Sequence, residues 1–420
     1  MATIASFARG ARAPLFALLV LAGGGGIPRP AVAQGNASLP HVRNAATPSG
    51  GMQKIQLQER WRAGGENDEV LFGVIGQVLA DDQGRLYLLD SQLNQVHVYS
   101  PDGTFLSALA GEGDGPGEIR GASDMFFLAN RRLALLQTFP GKAVFLGLDG
   151  NPAGGFSFGS ADPGQGSFGV LVTGRGSGSH LLVGGMRMSF NAQGRSDQTY
   201  FLASIDEQGT ELARYAEKAN VIDYNNLVAS EEGFDFAWSR YDLAPDGRVF
   251  LAPDREAYRI EVRRPDGTPE RVIEREYAYR SRTGAEKDEA RKVVQALARN
   301  YPVPPRDIVV FDTEPVITAM HCRPDGELWV RTSKGDGERG PGVLTVFDVF
   351  DRDGRFQRQI ALLASGDPRQ DAIYLVAGNR VVVVTQALAS YQAMQGVVAE
   401  EGAEGSSVPM EVICYDLPAR

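Results

Sequence analysis

The chain has 420 residues, of which 43% are apolar and only 2 are Cys, with 42 basic against 52 acidic side chains. An ordinary apolar share with so few cysteines excludes disorder, collagen and disulfide scaffolds. A net charge of −10 repels phosphate backbones and makes nucleic acid a poor partner.

The first 33 residues hold Arg9, Arg12 and Arg29, no acidic residue, and an apolar run from Leu15 to Ala22. That is the layout of a bacterial export signal, with an AxA cleavage site at Ala31, Val32 and Ala33. The run is too short for a membrane span, and no later segment is longer, so the expectation is an exported protein, periplasmic or extracellular, without a span. Without the leader the charge is 39 minus 52, or −13. The reading divides the chain into a signal over 1–33, a flexible N-terminal segment over 34–52 and a single domain over 53–418.

From there the chain repeats one theme. LADDQGRLYLLD, LAPDGRVFLAPD and CRPDGELWVRTS each give an apolar strand, a turn with Asp and Gly, and a second alternating strand. FFLANRRLALLQ, TGRGSGSHLLVGG and LVAGNRVVVVTQ are looser copies, which makes six. In the first five units a further strand and a second turn follow, with Gly103, Gly150, Gly209, Gly267 and Gly354 where the chain reverses. Four antiparallel strands per unit describe a propeller blade. The fold class is therefore all-β, a six-bladed β-propeller. The last unit lacks an outer strand, and KIQLQERWRAGG (54–65) is expected to supply it, so that the termini meet.

Two insertions decorate the frame. Thr283 and Glu286 form a capping box, and Ala290, Val293, Val294 and Leu297 share one helical face, so a short helix is expected between blades 4 and 5, as a plug or a lid on the channel mouth. Residues 386–409 contain EEGAEGSS and are read as mobile. Cys322 and Cys414 are read as small core residues rather than a disulfide.

The segment GEGDGPGEIRG (111–121), between the first two units, resembles the GxGPGEF-type linker of bacterial exported six-bladed β-propellers related to NHL-repeat proteins, with Ile119 in the place of the more usual aromatic. The resemblance implies the fold firmly and the function only in outline, since propellers host many activities.

In such a ring the inter-blade linkers and the second-to-third strand connections share one face, which normally carries ligands. That face offers Arg120, Asp124, Trp238 and Arg240 from the linkers, and Arg187, Phe190, Asp254, Arg255, Arg331, Lys334 and Tyr391 from the connections. Mixed charge with aromatics suits a small polar ligand, a glycan or a peptide; the plainer reading is a solvated rim. Asp242 and His321 each lie five residues before their turn glycine, and so on equivalent inner-strand positions of neighbouring blades. A carboxylate beside an imidazole at a channel suits a general base or a metal site, or a hydrogen-bonded pair between blades.

Two enzyme families share the six-bladed architecture, a calcium-dependent lactonase type and a zinc-dependent amidating lyase type. Four histidines, His41, His97, His180 and His321, are too scattered for a zinc centre. There is no GxSxG elbow, no phosphate-loop Lys after GDGPGEIRG, and no EF-hand spacing in SKGDGERGPG. The favoured function is an exported, monomeric, non-catalytic propeller without cofactor or metal that binds a ligand or protein through its linker face. The alternative is a calcium-assisted hydrolase or lactonase using Asp124, Asp242 and His321.

Overall fold

The computed structural model describes residues 39–66, 70–159, 167–191, 194–394 and 409–418. The expected export signal and residues 395–408 of the second insertion lie outside them. Six antiparallel sheets follow one another along the chain, each built from four consecutive strands except the last. Blade 1 begins with Ile75–Ala80, blade 2 with Ala122–Leu128, blade 3 with Ser167–Ser177, blade 4 with Tyr241–Leu243, blade 5 with Ile317–Cys322 and blade 6 with Ala372–Val376.

The core lies between the blades. Second strands such as Leu86–Asp90 and Arg380–Val384 are continuous apolar runs because both of their faces are buried. Alternation sends Leu86 and Leu88 into the cluster shared with blade 6, and Tyr87 and Leu89 into the cluster shared with blade 2. Every neighbouring pair of blades has such a cluster, six in all.

The ring closes as the sequence implies, with one adjustment. Blade 6 takes its outer strand from Gln58–Gly64, antiparallel to Glu411–Asp416, with Trp61 opposite Cys414. The preceding residues do not belong to that strand: Met52–Gln56 runs parallel to the outer strand of blade 5, and His41–Asn44 parallel to that of blade 4. The stretch expected to be a flexible lead-in thus holds a strand at 41–44 and the start of another at 52, because the outer edges of blades 4 and 5 offer unpaired backbone groups.

The turn glycines do a second job beyond reversing the chain. Gly103 has φ of +91°, and a Cβ there would lie 2.6 Å from Cγ of Trp61, on the outer strand of the preceding blade. Gly209 meets Phe156 and Gly354 meets Ile273 in the same way, each at 2.6 Å. Trp61 also stacks on Tyr99, centroids 5.6 Å apart, and donates Nε1–H to the Pro101 carbonyl, fastening blade 6 to blade 1.

A cap rises from the linkers on either side of blade 4. Val228–Ser230 pairs with Asp307–Val309, followed by the short helix Glu231–Phe234; the helix Gly284–Ala298 starts with the Thr283 and Glu286 capping box and packs Val294 and Ala298 against Ala229. A buried ionic lattice fixes it. Glu231 accepts from Arg282 at 2.6 and 2.8 Å and from Arg255 at 3.0 Å, while Arg282 also meets Glu314 at 2.9 Å. Among the described residues the helix contributes none to the lining of the central cavity. In the second insertion, Ala387–Met394 is helical, with Tyr391 buried.

Candidate functional site

The innermost strands enclose a central cavity of about 340 Å³. Register gives each blade an equivalent residue there, near the end of its first strand and opposite a second-strand side chain that faces the next blade. These are Leu79, Phe126, Arg175, Asp242, His321 and Tyr374, from blades 1 to 6. All six line the cavity. The tier is lopsided: apolar on blades 1 and 2, polar on blades 3 to 6.

Arg175 organises the polar half. Its Nη1 stands 3.3 Å from Asp124 and its Nε 3.4 Å from Asp242, and the guanidinium lies over the Tyr241 ring at 5.3 Å. Asp124 also accepts from Gln77 Nε2 and Thr173 Oγ1, both at 2.8 Å, and from the Gly174 amide at 2.9 Å. Asp242 takes the Cys322 amide at 2.6 Å, a bond between blades 4 and 5. Burial raises the Asp242 carboxyl above the usual range, with Arg175 working against the rise. Tyr374 donates to the Gly76 carbonyl at 3.1 Å.

His321 differs from its neighbours in the tier. Its Nε2 is sealed from solvent and has no hydrogen-bond partner among the described residues. Burial first, and then the charges of Arg331, Arg175 and Arg323, push its pKa down to about 3, so the ring is neutral and carries one donor and one acceptor nitrogen.

The residues expected at the ligand face divide in two. Asp124, Asp242 and His321 converge on the cavity, joined by Trp238 and Arg331 in its wall. The other expected ligand residues do not line it. Arg240 forms a fork with Asp235 at 2.9 and 3.0 Å, Arg255 is held by Glu231 and stacks on Phe311, and Arg331 meets Asp336 at 3.0 Å. All three are buried, with their charges met inside the fold. Trp238 packs on Tyr200 and Phe236. Arg120 is exposed and pairs with Asp114 and Glu112 of its own linker; Arg187 lies over Phe158 and Phe201; Asp254 caps the Glu256 amide.

The metal-centred arrangement of Asp124, Asp242 and His321 does not form. A guanidinium occupies the space between the two carboxylates, and among the described residues no three His, Cys, Asp or Glu side chains gather closely enough to share an ion. Cys322 and Cys414 are free. Sequence reasoning missed Arg175 and Gln77. The signal for Arg175 was its strand partner: it faces Leu182 as Asp242 faces Phe250 and His321 faces Trp329.

Residues 66–154 match the sequence profile of a family described as a 6-bladed beta-propeller. Among solved structures the chain is similar to a member of the duf4221 family from Bacteroides vulgatus, at 10% identity and a TM-score of 0.46, covering 87% of this chain and 99% of that one. It is similar to a candidate exported protein of Bacteroides fragilis, at 11% identity and a TM-score of 0.44, covering 88% and 100%. A third is regucalcin, a calcium-binding protein of Agrobacterium tumefaciens, at 12% identity and a TM-score of 0.39, covering 86% and 94%. No curated protein matches the chain in sequence. Among the described residues no helix is long and apolar enough to cross a membrane.

Proposed function

We propose that this six-bladed ring is an exported, non-catalytic binding protein whose central cavity takes a small, uncharged polar molecule with one apolar side. The export signal read from residues 1–33 supports the location. The observation that carries the binding reading is the central cavity of about 340 Å³ with its divided wall, apolar at Leu79 and Phe126 and polar at Arg175, Asp242, His321 and Tyr374. Leu79 and Phe126 across the tier provide an apolar wall for the other side of the ligand.

A thermal-shift screen of neutral polar metabolites tests this, with His321→Leu run in parallel. The expected hit raises the melting temperature of the wild type, fails to do so in His321→Leu, and is recovered chemically unchanged. Hits that stabilise both proteins equally place the site elsewhere, and a hit converted to product shows an enzyme.

A further inference from the structure

A second cavity, of about 200 Å³, lies away from the channel, where the outer strand of blade 3, Glu211–Asp223, meets the cap. Its lining runs from Asn220 to Asp223, along the cap strand Val228–Ser230 and onto Phe234 and Tyr301. Phe234 and Tyr301 stack with centroids 5.8 Å apart and 16° between planes. Tyr224 meets Tyr301 edge-on at 5.9 Å and stacks on Phe190, which is 39% exposed, so an aromatic surface leads from solvent to the cavity.

The polar groups sort by whether they are occupied. The Asp223 carboxylate accepts from the Asn225 amide and sits 3.4 Å from Arg195; Ser230 Oγ caps the Gly233 amide. At the cavity the Tyr301 hydroxyl has no hydrogen-bond partner among the described residues, and the Asn226 carboxamide beside it is exposed to solvent; both are uncharged. Burial raises the Tyr301 phenol well above its ordinary pKa, so it stays a donor.

We infer that this cleft is a second binding site, independent of the channel, for one neutral sugar residue. A pyranose ring presents an apolar C–H face to an aromatic floor and a rim of hydroxyls to a phenol and a carboxamide. The volume is below that of pockets for drug-sized ligands, roughly 300–1,000 Å³, and suits a single ring. Occupied carboxylates and the lack of an unpaired cation in the lining disfavour an ionic ligand.

Saturation-transfer NMR with the intact protein tests the inference, using methyl β-glucopyranoside, methyl α-mannopyranoside and the methyl glycoside of N-acetylglucosamine as probes at about 10 mM, suited to millimolar affinities. The expected result is transfer to at least one glycoside, weakened about tenfold in Tyr301→Phe, which keeps the stacked ring, and similarly in Asn226→Ala. His321→Leu leaves this binding unchanged, which separates the cleft from the channel. No transfer to any probe, transfer that survives both substitutions, or binding of phenylalaninamide where no glycoside binds would overturn the assignment.

Discussion

His321 ties the cavity to a pH response. Its folded pKa, about 3, lies below the ordinary 6.5, so between those values the unfolded chain holds a proton that the folded chain does not. Stability therefore rises with pH across that window and is lost as pH falls from 6.5 toward 3. Urea titrations stepped through the window should show this slope, and His321→Gln should flatten it; an unchanged slope would refute the buried neutral imidazole. Arg175→Met should cost about 3 kcal/mol at neutral pH by leaving Asp124 and Asp242 without their cation. The deficit should shrink on acidification, because Asp242 already binds its proton more tightly folded than unfolded. A variant as stable as the wild type at neutral pH would show that Arg175 neutralises nothing. Turn spacing made Asp242 and His321 legible beforehand, and the linker face offered Asp124. Arg175 was hidden because its hairpin turns through Gly178 and Ser179 alone, whereas blade 4 uses a five-residue turn, so counting back from the turn glycine loses register. Composition also cannot separate a ligand-facing arginine from Arg255, whose partner Glu231 lies 24 residues away.

Among the elements, the cap was readable in part. Capping box and apolar stripe fixed the helix Gly284–Ala298 because both are local in sequence. What the helix rests on was not readable, since Val228–Ser230 is only three residues long and its partner Asp307–Val309 lies beyond the helix. Thr283→Ala should cost about 1 kcal/mol. Arg282→Met should cost about 3 kcal/mol, since in a buried setting it leaves Glu231 with Arg255 alone and takes from Glu314 its nearest cation. Hydrogen exchange followed by mass spectrometry should then show residues 284–298 losing protection while second strands such as Leu86–Asp90 keep theirs. Equal loss in both would mean that the cap and the ring unfold as one unit.

For the whole molecule, the number of blades and the N-terminal closure were legible because each blade announces itself with a turn motif. The belt on blades 4 and 5 was not, since nothing in its residues names the edge they will join. Removing residues through 56 should lower the melting temperature modestly, as every blade keeps four strands. Removal through 64 should abolish cooperative unfolding, because blade 6 is left with three strands and blade 1 without Trp61. Circular dichroism melts distinguish the two, and similar curves would contradict the closure. Gly103→Ala should cost about 2 kcal/mol or more, forcing a left-handed φ and a contact with Trp61 together. The clasp between Arg60 and Asp416 spans 356 positions of sequence. A ribosome delivers the first half of that clasp long before the second, so the growing chain carries an unmated strand through most of its synthesis, open to capture by neighbouring nascent chains. Losing a few residues at the far end should thus be as damaging as losing the beginning, and a premature stop codon near residue 410 should yield aggregate rather than a shortened ring.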